Sequence, residues 1–315
     1  MPEFDLIERI RKRAGARDDV VLGIGDDAAM LRVPTGKLLV VATDTLNANV
    51  HFPGDTAPAD IGWKALAVNL SDLAAMGALP SWCTLALSLP DADTAWVDGF
   101  LDGFLELAAT HKVALVGGDT TRGPLSVCVT VHGVVDEGAA LQRNGARVGD
   151  DVWVSGTLGD AAGALAKGKR APSALQARLD RPEPRLALGW AFTGIASAAV
   201  DVSDGLLADL GHVCAASGVG AQVDLDMLPA SEALRDTFDA KTRRVLQATG
   251  GDDYEICFTA APGHRAAVMK ASRKANLPVT RIGRIVKGSE VQALDADDEP
   301  WQPPRKGYEH FGAAD

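Results

Sequence analysis

The chain has 315 residues, enough for two ordinary domains, and its 47% apolar and 23% charged residues are a normal balance for a soluble globular protein. A formal net charge of −11 argues against broad binding to a nucleic-acid backbone. No apolar run reaches the roughly 18 residues of a membrane span, and the acidic start Met1–Asp5 does not read as a signal peptide.

Cys83, Cys128, Cys214 and Cys257 are widely spaced and form no CxxC pair. A disulfide framework or zinc site is therefore not expected, and reduced cytoplasmic thiols are the default.

In chain order, Phe4, Leu6, Ile7 and Ile10 have helical spacing, with Arg9, Arg11, Lys12 and Arg13 as a solvated face. Leu38–Ala42 reads as a buried strand running into Thr43 and Asp44. Ala59–Met76 has helical periodicity with apolar residues on more than one face, which predicts a largely buried helix ending at Gly77. Thr84–Leu89 reads as a strand, Thr94–His111 as a long helix, and Val113–Val116 as a strand running into Gly117-Gly118-Asp119. Ser126–Val135 alternates and predicts another strand.

The turn Val148–Asp151 marks a domain boundary, giving an N-terminal domain 1–147 and a C-terminal domain 148–315. Beyond it, Val152–Ser155, Ala199–Val202, Ala221–Leu225, Ile256–Thr259 and Arg281–Ile285 read as strands. Leu206–Ala216 and Arg265–Ala275 read as helices, and Lys167–Arg185 as a surface crossing. Alternating strands and helices predict an α/β (α+β) fold in both halves.

Six acidic motifs abut these elements: Gly23–Asp27, Thr43–Thr45, Asn69–Gly77, Gly117–Gly123, Asp201–Gly205 and Gly250–Glu255. Carboxylates beside flexible glycines suit hard divalent cations and, through them, a polyphosphate. Each motif has a plainer reading. Asp26, Asp27 and Asp44 could cap turns, Gly117–Gly123 could be a simple glycine turn, and Ser203 or Asp204 could cap a helix. Asp72 is the sharper case, because a carboxylate in a buried helix needs a cation or a partner such as Lys64. Arg143 alone is a surface arginine. No Walker loop, nucleophile elbow or paired-histidine metal motif occurs.

Taken together, GIGDDAA (Gly23–Ala29), TDTL (Thr43–Leu46), KALAVNLSDLAAMGA (Lys64–Ala78), GGDTTRGPLS (Gly117–Ser126), SGTLGD (Ser155–Asp160), DVSDGL (Asp201–Leu206), GGDDYE and the ending Gly307–Phe311 closely resemble the thiamine-monophosphate kinase family. That family lies within the aminoimidazole ribonucleotide synthetase-like superfamily. The resemblance runs essentially the whole chain and implies two α/β domains, an N-terminal sheet that pairs across a homodimer, and a cleft for ATP and thiamine monophosphate.

It also implies roles. Asp27, Asp44, Asp72, Asp119, Asp201 and Asp204 match metal-binding carboxylates, expected to hold several Mg²⁺ ions, with Ala42 and Thr43 adjoining. Gly118, Asp119, Arg143 and Ser203 match ATP contacts, and His51, Asp252 and Tyr308 match thiamine monophosphate contacts. Two positions depart from the family pattern. Ala42 stands where serine is familiar, so any contact there is through backbone, and Asp252 stands where glutamate is common, one methylene shorter.

On this reading the acceptor is an already anionic phosphate oxygen. No general acid or base is expected, and transfer is direct and in-line. A sibling ATP-dependent synthetase or kinase acting on another small phosphate or amide is the alternative enzyme reading. A non-catalytic cation or nucleotide sensor is the other class, in which no turnover would be seen.

Overall fold

The computed structural model describes residues 3–304 and 307–308. The chain forms two compact units, Met1–Leu73 with Ala78–Gly138, and Ala74–Gly77 with Ala139–Asp315. Among the described residues no helix is long and apolar enough to cross a membrane.

The first unit runs α1 (Glu3–Arg13), β1 (Val20–Leu22), β2 (Met30–Leu31), β3 (Lys37–Asn47), α2 (Pro58–Ala75), β4 (Leu79–Leu89), α3 (Thr94–Thr110), β5 (Ala114–Arg122) and β6 (Ser126–Asp136). Its main sheet has the order β3-β6-β4-β5, antiparallel except for the parallel β4–β5 pair. Leu66, Leu70 and Leu73 of α2 and Phe100 and Phe104 of α3 are wholly buried. The two helices touch backbone to backbone: a Cβ on Gly103 would lie 1.8 Å from the Ala59 carbonyl oxygen, and one on Gly62 2.0 Å from that of Phe100. Only glycine permits that approach.

Two expectations change here. Leu38–Ala42 is not a buried strand but part of an edge strand, with Leu38 47%, Leu39 46% and Val41 53% exposed. Apolar content reports a wish to be covered, and among the described residues no strand pairs with β3's outer edge. The GGDTTRG motif is also not a turn after a strand. β5 continues through it to Arg122, paired in register with β4.

The second unit runs β7 (Asp151–Ser155), α4 (Asp160–Lys167), α5 (Ser173–Asp180), α6 (Leu186–Ala191), β8 (Ala198–Asp201), α7 (Leu206–Ser217), β9 (Gly220–Asp224), α8 (Glu232–Thr237), α9 (Ala240–Thr249), β10 (Ile256–Ala260), α10 (Arg265–Ala275), β11 (Val279–Val286), β12 (Val291–Leu294) and β13 (Pro300–Trp301). Its sheet has the order β13-β12-β9-β11-β7-β10-β8, antiparallel except for β9–β12. Strand alternation sorts its core. Val152 and Val154 pack in one cluster with Leu206, Leu210 and Val213 of α7. Trp153 instead stacks on Phe258, which meets Phe192 at 4.1 Å between ring centroids.

The predicted surface crossing Lys167–Arg185 is a further correction. It contains α5, whose Leu175 and Leu179 are buried in a cluster with Leu234 and Leu246. Those two leucines are four apart, one helical turn, a signal outweighed in the sequence by the surrounding Lys, Arg, Pro and Ala.

Candidate functional site

In the first unit the site residues hang on α2 and the sheet. Asn69 is fully buried; its Nδ2 donates to the Ala65 carbonyl at 2.9 Å, and its Oδ1 accepts from the Asp44 amide at 2.9 Å. One buried amide thus ties β3 to α2 at Asp44, and Asp72, half-buried, lies three residues further along the same helix face. The Thr43 hydroxyl reaches the Val129 carbonyl at 3.0 Å and the Thr130 hydroxyl at 2.9 Å. Ala42 precedes it within β3.

His51 accepts the Asn47 amide at Nδ1, 2.9 Å away, and Lys64 Nζ donates to its carbonyl at 3.2 Å. A neutral imidazole accepting at Nδ1 carries its proton on Nε2, so His51 offers a donor from that atom. Asp27 is exposed in the turn after β1, where its amide donates to Asp26 at 2.8 Å.

Gly118 and Asp119 sit within β5. A Cβ on Gly118 would lie 1.8 Å from the Leu85 carbonyl oxygen, and its φ is +150°. The glycine is therefore needed for β5 to stay against β4 while presenting Asp119, which is exposed. Asp44 and Asp119 do not meet in this unit. They lie on the two outermost strands, β3 and β5, with β6 and β4 between them, three strand spacings or roughly 14 Å apart.

In the second unit the structure brings more of the predicted residues together. Asp201 ends β8 and is 5% exposed. Ser203 and Asp204 follow in a loop held by Asp209 of α7, whose Oδ2 accepts from the amides of Ser203 at 3.0 Å, Asp204 at 3.1 Å and Gly205 at 3.1 Å. The same loop is joined to residues expected on the acceptor side. The Asp252 amide donates to the Ser203 carbonyl at 2.9 Å, Tyr254 to that of Val202 at 2.8 Å, and Tyr308 to that of Asp204 at 3.1 Å. Glu309, His310 and Phe311 of the C-terminal motif lie outside the described residues.

Arg143 is placed differently. Its carbonyl accepts the Ser217 hydroxyl at 2.8 Å, at the far end of α7 from Ser203. The ends of that 12-residue helix are roughly 18 Å apart.

Asp209 was missed in the sequence, although the test applied to Asp72, an acid in an otherwise apolar helix, points to it. Burial raises its pKa to about 7, helped by the negative charges of Asp201 and Asp204, while the amides of Asp204 and Gly205 oppose the rise. These carboxylates crowd electrostatically, yet among the described residues no three His, Cys, Asp or Glu side chains form a set that could hold a metal ion by themselves. The donors at the predicted positions are carboxylates with one hydroxyl, without thiolate or imidazole. That chemistry fits a hard cation such as Mg²⁺ that takes its remaining ligands from nucleotide phosphates and water.

A raised carboxylate pKa carries a definite sign. Between the unfolded value of about 3.9 and the folded value of about 7, the native state binds more protons, so stability from this group is full below that window and lost as pH rises through it. In metal-free protein, Asp209→Asn should therefore gain urea stability relative to the parent as pH rises from about 5 to about 8. A difference that stays flat across that range would refute the assignment.

Two AIR synthase related protein families match the chain, the N-terminal domain over residues 25–135 and the C-terminal domain over residues 147–295. The chain is 46% identical to the thiamine-monophosphate kinase of Escherichia coli K12 over 98% of each protein. It is 54% identical to the crystal structure of thiamine-monophosphate kinase from Stenotrophomonas maltophilia K279a, with a TM-score of 0.88 and coverage of 96% of this chain and 98% of that one. It is 33% identical to AaThiL complexed with AMPPCP and TMP, with a TM-score of 0.78 and coverage of 98% and 97%. With relatives of this identity aligned along nearly the whole of both chains, the protein belongs to the thiamine-monophosphate kinase family, among the AIR synthase related proteins.

Proposed function

We propose that this chain transfers a phosphoryl group from ATP to thiamine monophosphate, giving ADP and thiamine diphosphate. The observation that carries the reading is the second-unit loop that follows Asp201, where the amides of Ser203, Asp204 and Gly205 are pinned by Asp209 and the Ser203 and Asp204 carbonyls accept from the amides of Asp252 and Tyr308. Residues of the family pattern for nucleotide and for acceptor thus lie on three chain segments held side by side by backbone hydrogen bonds. The relative complexed with AMPPCP and TMP supports the same pair of ligands. No feature of the site favours a sibling acceptor.

The residues that would hold Mg²⁺ are Asp27, Asp44, Asp72, Asp119, Asp201 and Asp204, with the Thr43 hydroxyl and the Ala42 carbonyl beside them. Bound Mg²⁺ supplies the counter-charge that lets two polyanions approach; at ~4 Å two unit charges otherwise repel by ~4 kcal/mol at an effective dielectric of 20. Gly118 brings backbone close to the nucleotide phosphates and Ser203 adds a contact to them; Arg143, at the far end of α7 from Ser203, would meet a different part of the phosphate chain. His51 donates from Nε2 to the acceptor. Asp252 offers a negative charge to the thiazolium, and Tyr308, 47% exposed, offers an aromatic face to it. The acceptor phosphate has its second ionisation near pKa ~6, so an anionic oxygen is already present and no side chain need act as general base. The transfer is direct, without a phosphoenzyme.

The domain reading goes with this: residues 1–147 carry most of the metal carboxylates and dimerise, and residues 148–315 complete the ATP and substrate site. The open edge of β3, with Leu39 and Val41 exposed, supports a homodimer in which a second copy covers it. The carboxylates on both outer strands, β3 and β5, support a site that draws on both copies. Cys83, Cys214 and Cys257 are buried free thiols, in keeping with a reducing cytoplasm, a location that cell fractionation would check.

Purified protein given ATP, Mg²⁺ and thiamine monophosphate should release ADP and form thiamine diphosphate in equal amounts. EDTA should stop both, and restored Mg²⁺ should recover both. ADP release without thiamine diphosphate, or undiminished turnover in EDTA, would overturn this reading, and a monomer in sedimentation velocity would overturn the dimer.

A further inference from the structure

The backbone of the segment Asp252–Glu255 is tightly constrained. Asp252 (φ 67°) and Tyr254 (φ 49°) both adopt the left-handed conformation, which side chains with a Cβ rarely take. Each is held there by a hydrogen bond from its amide to the Asp201–Gly205 loop, and the Val202 amide donates one back to the Glu255 carbonyl at 2.8 Å. Strain of this kind persists where the surroundings over-determine it, and it gathers at functional sites. Its effect here is to bring two side chains together: the Tyr254 hydroxyl donates to Asp252 Oδ1 at 3.0 Å. Tyr254 is 8% exposed, so the phenol is a fixed, buried donor while Asp252 remains half-buried.

We propose that Tyr254 is a positioning residue for acceptor recognition, orienting the Asp252 carboxylate toward the cationic part of thiamine monophosphate. This rests on the reading that Asp252 faces that cation. A short carboxylate on a strained backbone has one torsion that carries its charge toward or away from a ligand, and a hydrogen bond from a buried phenol selects one setting. Aspartate reaches one methylene less far than glutamate, so its orientation matters more. Tyr254 does not touch the acceptor; it acts through Asp252.

The test is a double-mutant cycle on steady-state kinetics with Tyr254→Phe, Asp252→Asn and the pair combined. Tyr254→Phe removes one oxygen and keeps the ring. It should raise KM for thiamine monophosphate about three- to tenfold, the range of one hydrogen bond, with KM for ATP unchanged and kcat within about twofold. Asp252→Asn should raise the same KM at least as much, and adding Tyr254→Phe to it should change nothing further. If Asp252→Asn leaves acceptor KM unchanged, the reading of Asp252 fails and the proposal with it. If Asp252→Asn acts but Tyr254→Phe does not, the tether alone is wrong. Additive effects in the pair, or equal rises in both substrates' KM, would show that Tyr254 serves the fold rather than Asp252.

Discussion

Replacing Asp72 with asparagine should lower kcat by on the order of 10²–10³, the loss seen when one preorganised charge-stabilising group is removed, with little change in the urea midpoint. The substitution is nearly isosteric and removes only the charge. Asp72 is half-buried on α2 in a stretch where Leu66, Leu70 and Leu73 have no exposure. A helix that spends its other faces on packing keeps a carboxylate there only against a cation or a polar partner. Asn69, three residues earlier, fixes the Asp44 amide, so α2 presents Asp72 from the face that positions Asp44. Phosphoryl transfer between two polyanions depends on positioning and counter-charge more than on acid or base chemistry. Loss of a ligand for that counter-charge should therefore appear in kcat and in the Mg²⁺ concentration needed for half activity. If kcat at saturating Mg²⁺ and substrates stayed within twofold of the parent, Asp72 would have no part in the chemistry.

The second large effect is on stability. Glu255→Leu should cost about 3–5 kcal/mol, the usual result of breaking a buried ion pair from one side. Glu255 is fully buried. Its Oε1 meets Arg178 Nη2 at 2.7 Å and Arg185 Nη2 at 2.5 Å, and its Oε2 meets Arg185 Nε at 2.8 Å and the Ser155 hydroxyl at 2.6 Å. Removing the carboxylate leaves Arg185, whose side chain is 10% exposed, with its bond to the exposed Glu183 at 3.0 Å, and leaves Arg178, at 20%, with the Asp253 carbonyl at 3.2 Å. Glu255→Gln keeps the hydrogen-bond acceptor and should cost less. Urea unfolding measures both, and a loss below about 1 kcal/mol for Glu255→Leu would mean the arginines find other partners or water.

The same region shows how one motif divides its labour. Asp252 is half-buried and accepts from the Tyr254 hydroxyl, whereas Asp253 is buried under the Gly159 amide, at 3.0 and 2.9 Å to its two oxygens. Burial raises the Asp253 pKa well above the ordinary carboxylate range, and the Gly159 amide and Arg178 work against the rise. GGDDYE read along the chain shows four polar side chains in a row without saying which serve the fold.

Much of the architecture was legible in the sequence. Local patterns suffice for α2 and α3, because a long periodic apolar run has one way to bury itself. The acidic motifs with their glycines were legible as a family pattern, and with them the class of chemistry. What escaped was set by neighbours distant in the chain. An apolar strand reads the same whether it lies inside a sheet or at its edge, so Leu38–Ala42 reads as buried from composition alone. GGDTTRG has the composition of a turn, and only the register with β4 makes it strand. Asp209 looks like one more helix acid until three amides from the preceding loop converge on it.

By itself, then, the sequence determined the kinase family, the α/β class of both halves and the acidic and glycine motifs, since these depend on local periodicity and motif chemistry. Only the tertiary structure decided that Asp44 and Asp119 stand on opposite outer strands, that Arg143 sits at the far end of α7 from Ser203, and that Glu255 serves the core. Those outcomes depend on strand order and on hydrogen bonds between residues up to a hundred positions apart, which no local pattern encodes.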